Sequence, residues 1–232
     1  SQIFLLRGNH EFMAANMRYG FPLEIKAKQT FQETVQMLYA HVNTAFCYLS
    51  VNHLSGNIYY CAHAGISKPG LASIAFFQLR KPYLHSSSDV MAHDTMWSDP
   101  ANGLRGTTFN TTRGSSFFFG LEEMAYALQN MGCVGLFRGH SLMEAGFEIV
   151  GDLCVSLFSA VGQSGTNKGS VAYISPTGAV LIRVLELDVA RVEWDAELLR
   201  LDGGEPDYED EKTVSADLEI DLATGKTPMI VG

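Results

Sequence analysis

Three short segments of the sequence combine glycine with side chains that can bind metals or transfer protons. The segments are residues 7–11, 61–65 and 137–140, and each follows an apolar run typical of a buried strand. Imidazole nitrogen and amide oxygen are suitable ligands for divalent metals, and glycine lets the backbone approach a bound group closely. A single histidine after a strand is more often structural than a ligand. Three similar junctions can converge at sheet edges, which makes Asn9, His10, His63 and His140 candidate site residues.

Arg113 is a further candidate. It lies in a polar loop immediately before the aromatic run 117–119. A guanidinium group can bind two phosphate oxygens at once, so this residue could hold a phosphate. Taken alone, a surface arginine is the commoner interpretation.

The other histidines and the cysteines do not suggest a second site. The histidines at 41, 53, 85 and 93 lie in polar or helix-surface contexts and are interpreted as ordinary residues. The four cysteines are far apart and form no Cys-x-x-Cys pair. Three of them lie in apolar runs, which favours buried free thiols and a reducing compartment.

The charge is unevenly distributed along the chain. The net charge of the 232 residues is −9, but residues 1–185 carry 11 acidic and 12 basic side chains, whereas residues 186–232 carry 14 and 4. The acidic end is interpreted as a solvated tail, with a docking or autoinhibitory segment as the alternative. Net negative charge argues against a nucleic-acid or anionic-membrane partner, and no run of 18 apolar residues predicts a membrane span. No targeting leader is visible, so we expect a cytoplasmic location, with the nucleus as an additional one.

Apolar periodicity predicts helices early in the chain and antiparallel strands late. The expected helices span residues 10–19, 25–42 and 121–131, a first hairpin combines 44–51 with 57–62, and five strands lie between residues 133 and 185. Residues 64–116 show few clear elements, which is typical of a functional surface.

Six segments, in order, resemble the motifs of the phosphoprotein phosphatase (PPP) family of serine/threonine phosphatases. They are RGNHE at 7–11, HAGIS at 63–67, WSDP at 97–100, RGSSFFFG at 113–120, RGH at 138–140 and LFSA at 157–160. The first motif alone also occurs in other metallophosphoesterases. All six in order, over roughly residues 2–185, make the resemblance specific.

The resemblance implies an α/β (α+β) fold of the metallophosphoesterase type, with a central β-sandwich and flanking helices. Residues 1–188 would form the C-terminal two-thirds of the catalytic domain, and residues 189–232 the acidic tail. The implied function is metal-dependent hydrolysis of phosphoserine and phosphothreonine in proteins, by in-line attack of a metal-bridging hydroxide. The implied partners are a phosphoprotein substrate and regulatory subunits.

The resemblance also assigns roles to individual residues. Asn9, His63 and His140 would be ligands of the second of two divalent ions, which could be Mn, Fe or Zn. His10 would be the general acid for the leaving alkoxide, and Arg113 would bind the phosphate.

The sequence departs from the family pattern in three places. Two earlier motifs, Gly-Asp-x-His-Gly and Gly-Asp-x-Val-Asp-Arg-Gly, do not occur in it, so ligands of the first metal are missing. We therefore expect a fragment whose N-terminal part is absent and which is inactive alone. Ala64 replaces a glycine, and residues 161–163 replace the usual Pro-Asn-Tyr. Two alternatives follow: a dinucleoside tetraphosphate hydrolase of the same superfamily, or a non-catalytic pseudophosphatase that binds partners.

Overall fold

The computed structural model describes residues 3–28, 31–56, 58–68, 81–83, 90–186, 217–221 and 226–231. The chain forms two compact units. The first contains residues 1–140 and 150–155, and the second contains residues 141–149 and 156–232. Most of the predicted tail, residues 189–232, lies outside the described residues, so its mobility and role stay predictions.

The first unit contains all the described helices and the strands between them. The helical elements are a 3-10 turn at Asn9–Glu11, α1 at Met13–Arg18, α2 at Phe21–Lys28, α3 at Gln32–Phe46, α4 at Val90–Trp97 and α5 at Leu121–Asn130. The strands are β1 at Asn52–Ser55, β2 at Tyr59–Ala62, β3 at Asp99–Pro100, β4 at Thr107–Phe109, β5 at Phe117–Phe119 and β6 at Gly135–Arg138. Two further strands, β7 at Phe147–Val150 and β8 at Cys154–Leu157, each contribute residues to both units. None of these described helices is long and apolar enough to cross a membrane.

The largest described sheet has the strand order β1-β2-β6-β8-β7. Strands β1 and β2 form an antiparallel hairpin, whereas β2 and β6 are parallel, with Tyr59 opposite Gly135 and Cys61 opposite Phe137. Parallel neighbours end at the same edge of a sheet. The residues that follow β2 and β6 therefore leave the sheet side by side.

The predicted position of the first hairpin strand is wrong. Residues 44–51 were expected to be extended, but α3 continues to Phe46 and β1 begins only at Asn52. Side-chain hydrogen bonds stabilise this end of α3, since Asn16 Nδ2 donates to Asn43 Oδ1 at 2.7 Å. Tertiary contacts here outweigh the strand propensity of the local sequence.

A small second sheet has the order β3-β5-β4. Strand β5 pairs in parallel with β3 and antiparallel with β4. The connection from β4 to β5, residues 110–116, carries Arg113. We call it the arginine loop.

Helix α5 supplies much of the main core. Met124, Ala127 and Leu128 are fully buried on one face, at the spacing of an amphipathic helix. They pack in a cluster with residues of β2, β5, β6 and β8. The helix ends as predicted before Gly132, whose φ of 69° suits glycine after a helix C-terminus.

The second unit contains a four-stranded antiparallel sheet. Strands β9 at Gly169–Ile174 and β10 at Val180–Leu185 agree with the predicted strands, and β11 at Asp217–Asp221 and β12 at Lys226–Val231 extend the sheet in the order β12-β11-β10-β9. Sheets with flanking helices confirm the predicted mixed α/β class.

Replacing Met124 by alanine should test the core. The side chain is fully buried, so its truncation should lower the free energy of unfolding by about 2–5 kcal/mol through lost burial and a residual cavity. Urea denaturation followed by tryptophan fluorescence measures this. Tyr126→Ala on the same helix is the control, because Tyr126 is exposed. Equal losses in the two variants would contradict the assignment of the core.

Candidate active site

The parallel pair β2 and β6 brings together the residues that follow each strand. His63 comes directly after β2, and His140 comes two residues after β6. The backbone pairing continues past the strands, since Gly139 N–H donates to the His63 carbonyl oxygen at 2.9 Å. The two imidazole rings meet edge to face, with centroids 4.9 Å apart. The sheet register therefore places these two predicted residues in contact.

Asn9 joins the two histidines from the 3-10 turn. His63 Nε2 lies 2.9 Å from Asn9 Oδ1 and 3.1 Å from His140 Nδ1. Gly8 permits this approach, because a Cβ there would lie 2.8 Å from His63 Nδ1. We call Asn9, His63 and His140 the donor triad.

Burial lowers the pKa of both histidines of the donor triad. Burial, followed by the nearby Arg138 charge, lowers the pKa of His63 to about 4. Burial, followed by the nearby His63, lowers the pKa of His140 to about 3. Metal ligation requires neutral imidazole, so this environment keeps both rings in the ligating form. His140 Nε2 is buried and has no hydrogen-bond partner among the described residues.

The donor triad fits a divalent metal ion. With metal–ligand bonds of about 2.1 Å, two ligands at right angles lie about 3.0 Å apart, close to the separations observed here. Within the described ranges, no group of three or more histidine, cysteine or acidic residues is arranged to hold a metal. The donors present are two imidazoles and one amide, which are neutral and do not compensate the charge of a cation.

Arg113 lies beside the donor triad and is held by Asp99. Arg113 Nε donates to Asp99 Oδ2 at 2.9 Å, and Nη2 donates to the His140 carbonyl oxygen at 3.1 Å. The side chain of Arg113 keeps a quarter of its surface exposed. The structure thus brings Arg113 to the backbone of His140, and part of the side chain stays accessible to a ligand.

Asp99 also pairs with Arg138, which is buried at the end of β6. Arg138 Nη2 donates to Asp99 Oδ1 at 2.7 Å, and Arg138 Nε donates to the Ala64 carbonyl oxygen. Burial alone would raise the pKa of Asp99, but hydrogen bonds and charges from Arg113 and Arg138 outweigh it and lower the pKa. Asp99 in β3 therefore binds two arginines that also contact the backbone beside the donor triad, at His140 and at Ala64.

His10 is adjacent to Asn9 in sequence but lies apart from this hydrogen-bond network. Its side chain is exposed, and its ring packs on Tyr19 with centroids 4.7 Å apart. The hydrogen bonds identified for the described residues do not join it to the donor triad. The structure therefore brings together four of the five predicted residues, and the acid role of His10 stays a prediction.

Asp99 and Arg138 lie in the sequence motifs but were not predicted as site residues. Asp99 and Arg138 are both buried. A charged residue next to an apolar run is a sequence signal for a buried ion pair, because burial of an unpaired charge is costly. The pairing itself joins residues 39 positions apart and could not be read from spacing.

The chain is similar to known phosphoesterases and phosphatases. Residues 1–144 match the model of the calcineurin-like phosphoesterase family. A Caenorhabditis elegans serine/threonine-protein phosphatase is 33% identical over 196 residues, which cover 83% of this chain and 42% of that protein. A second protein of that organism is 32% identical over 179 residues, covering 75% of this chain and 38% of its own length.

A solved structure shows the same fold. It is a protein serine/threonine phosphatase from Saccharomyces cerevisiae, with similarity to human phosphatase PP5. The TM-score is 0.63 at 26% identity, covering 77% of this chain and 52% of that chain. The chain spans about two fifths of the curated relatives that it matches.

The chain belongs to the calcineurin-like phosphoesterase family. Within that family, its similarity to serine/threonine phosphatases confirms the resemblance found in the motifs, and the neighbour's structure confirms the fold class. The family is one of metal-dependent hydrolases of phosphate esters.

Removing the Asp99 carboxylate should destabilise the fold. Asp99→Ala leaves the buried Arg138 without its carboxylate partner, so the free energy of unfolding should fall by about 3–5 kcal/mol. Urea denaturation at neutral pH measures this, with Asp152→Ala at an exposed position as the matched control. A loss of unfolding free energy no larger than that of the control would show that the pairing of Asp99 with the two arginines does not stabilise the fold.

Proposed function

We propose that this chain forms part of a protein phosphatase that hydrolyses phosphoserine and phosphothreonine in proteins. The observation that carries the proposal is the position of His63 Nε2, which lies 2.9 Å from Asn9 Oδ1 and 3.1 Å from His140 Nδ1, with Arg113 donating to the His140 carbonyl oxygen. The names of the relatives favour a phosphoprotein substrate. Regulatory subunits and a cytoplasmic location, with the nucleus as an additional one, remain proposals from the sequence.

The donor triad would hold one divalent metal ion, which could be Mn, Fe or Zn. When bound, such an ion would polarise phosphoryl oxygen and supply a strong nucleophile from water at neutral pH. The lowered pKa values of His63 and His140 favour neutral rings, each of which has one unprotonated nitrogen that can bind a metal. A second ion would need carboxylate ligands, which the donor triad does not contain.

The remaining residues would act on the phosphate ester itself. Arg113 would bind phosphate oxygens and offset the charge that accumulates on them in the transition state. Its direction is fixed by Asp99, so little reorganisation is needed when the ester binds. His10 would donate a proton to the leaving seryl or threonyl oxygen, because an alkoxide is a poor leaving group.

The proposal is tested on the full-length protein that carries this sequence, loaded with Mn²⁺ and given a phosphothreonine peptide. We expect phosphate release that falls strongly in His63→Ala, together with a loss of bound metal measured by elemental analysis. His41→Ala is the matched control, since His41 is exposed on α3. A full-length protein that binds metal but releases no phosphate would instead favour the pseudophosphatase.

Residues 1–232 alone should show little or no turnover of an aryl phosphate in Mn²⁺. The physical reason is that the donor triad is neutral and the motifs that supply first-metal carboxylates do not occur in this sequence. A colorimetric assay of purified residues 1–232 measures this. Robust metal-dependent turnover would overturn the expectation.

The role of His10 is tested by His10→Asn in the full-length protein. We expect turnover to fall by about 10²–10⁴-fold, because the leaving oxygen loses its proton donor. Metal content should stay unchanged, since Asn9 and not His10 belongs to the donor triad. Loss of metal in His10→Asn would make His10 a ligand and contradict the acid role.

A further inference from the structure

Asn110, the first residue of the arginine loop, forms hydrogen bonds with later residues of the same loop. Asn110 Oδ1 accepts from the Arg113 backbone N–H at 3.1 Å, and its own N–H donates to the Ser116 carbonyl oxygen at 3.2 Å. Asn110 is fully buried and also donates to Asp99 at 2.9 Å. These contacts fix where the loop begins and hold Asp99, which in turn binds the Arg113 guanidinium.

The part of the loop after Arg113 has further supports, in addition to the Gly114 N–H that donates to the Asn110 carbonyl oxygen at 2.9 Å. Gly114 is exposed, and Ser116 has a φ of 59°, a conformation that costs a non-glycine residue free energy unless its surroundings hold it. Two side chains of α4 provide contacts at this end. Asp94 Oδ1 accepts from Ser116 Oγ at 2.9 Å, and His93 Nε2 is hydrogen-bonded to Ser115 Oγ at 2.7 Å.

Helix α4 is a firm support for these contacts. Ala92 and Met96 are buried in a second apolar cluster with Phe12, Val51 and Tyr83. The Thr95 carbonyl oxygen accepts from the N–H groups of Ala64 and Gly65, directly after His63. Helix α4 is thus anchored to the core and to the strand end that carries one member of the donor triad.

The same helix contacts the second histidine of the donor triad through Trp97. The Trp97 ring stacks on His93 with centroids 6.0 Å apart and meets the His140 ring edge-on at 6.0 Å. His93 therefore lies between the Trp97 ring and the hydroxyl of Ser115. A ring held on one side by Trp97 has little freedom to leave its hydrogen bond on the other.

We propose that His93 is a positioning residue that holds the arginine loop, through Ser115, so that Arg113 is presented to the phosphate group of the substrate. This inference rests on the phosphate-binding role of Arg113 under the proposed function. Without the His93–Ser115 contact, the Asp94–Ser116 contact to α4 remains but residues 113–115 are held less firmly, so that Arg113 is in its binding position for a smaller fraction of the time. The apparent affinity for phosphate then falls in proportion to that fraction.

The test compares variants of the full-length, metal-loaded protein by their affinity for orthophosphate, measured by calorimetry. His93→Phe keeps a ring for the contact with Trp97 and removes the hydrogen bond to Ser115. We expect orthophosphate to bind about three- to tenfold more weakly, as for the loss of one hydrogen bond. The KM for a phosphothreonine peptide should rise by a similar factor, with a smaller change in kcat.

Two further variants separate positioning from general damage to the fold. His93→Gln offers an amide donor and acceptor near the Nε2 position and should restore most of the orthophosphate affinity. Ser115→Ala removes the partner hydroxyl from a loop residue and should weaken binding as much as His93→Phe does. The double variant should be no weaker than either single variant, because both remove the same contact. Unchanged affinity in His93→Phe and Ser115→Ala, or equal weakening in His93→Gln and His93→Phe, would overturn the proposal.

Arg113→Ala distinguishes failure of this inference from failure of the proposed function. If orthophosphate affinity does not fall in Arg113→Ala, the phosphate role of Arg113 is wrong and the inference falls with it. If it falls in Arg113→Ala but not in His93→Phe, only the inference is wrong. Adding His93→Phe to Arg113→Ala should change the affinity no further. A further loss in that double variant would show that His93 acts independently of Arg113 and overturn the proposal.

Discussion

The candidate site depends on one buried carboxylate that pairs with two guanidinium groups. Asp99 accepts from Arg113 on one oxygen and from Arg138 on the other. Arg138 is almost fully buried at the end of β6, and a buried charge of this kind is stable only when it is paired and hydrogen-bonded. Because Asp99 lies in β3, its ion pair with Arg138 links the position of β3 to that of β6. The direction of the Arg113 side chain therefore depends on both strands.

A second constraint is the parallel pairing of β2 with β6. It determines that His63 and His140 leave the sheet at the same edge, and Gly139 N–H continues the pairing to the His63 carbonyl oxygen. Helix α4 then contacts each part of this arrangement, through Thr95 behind His63, Trp97 beside His140, and His93 and Asp94 at the arginine loop. The donor triad and Arg113 are thus supported by one helix that is packed into the core.

The sequence predicted features that depend on local pattern, and it failed where distant contacts decide. Helix α5 was predicted because its apolar face is regular and Gly132 ends it. The donor triad was predicted because each member follows an apolar run. The strand expected at residues 44–51 was wrong because Asn43 and Asn16, 27 residues apart, hold α3 in place. His93 was set aside as a helix-surface residue because its contact with Ser115, 22 residues away, has no local signature.

The charges around the site explain why a metal and a phosphate would bind there together. Asp99 is shared between Arg113 and Arg138, and burial lowers the pKa of both His63 and His140, so the donor triad contributes no negative charge. A divalent cation placed beside two guanidinium groups would be repelled unless negative groups approach with it. A phosphate ester brings that charge, and carboxylates of a first-metal site would bring more. Under the proposed function, the positive potential that opposes a cation alone would therefore favour the anion, and the binding of each would strengthen the binding of the other.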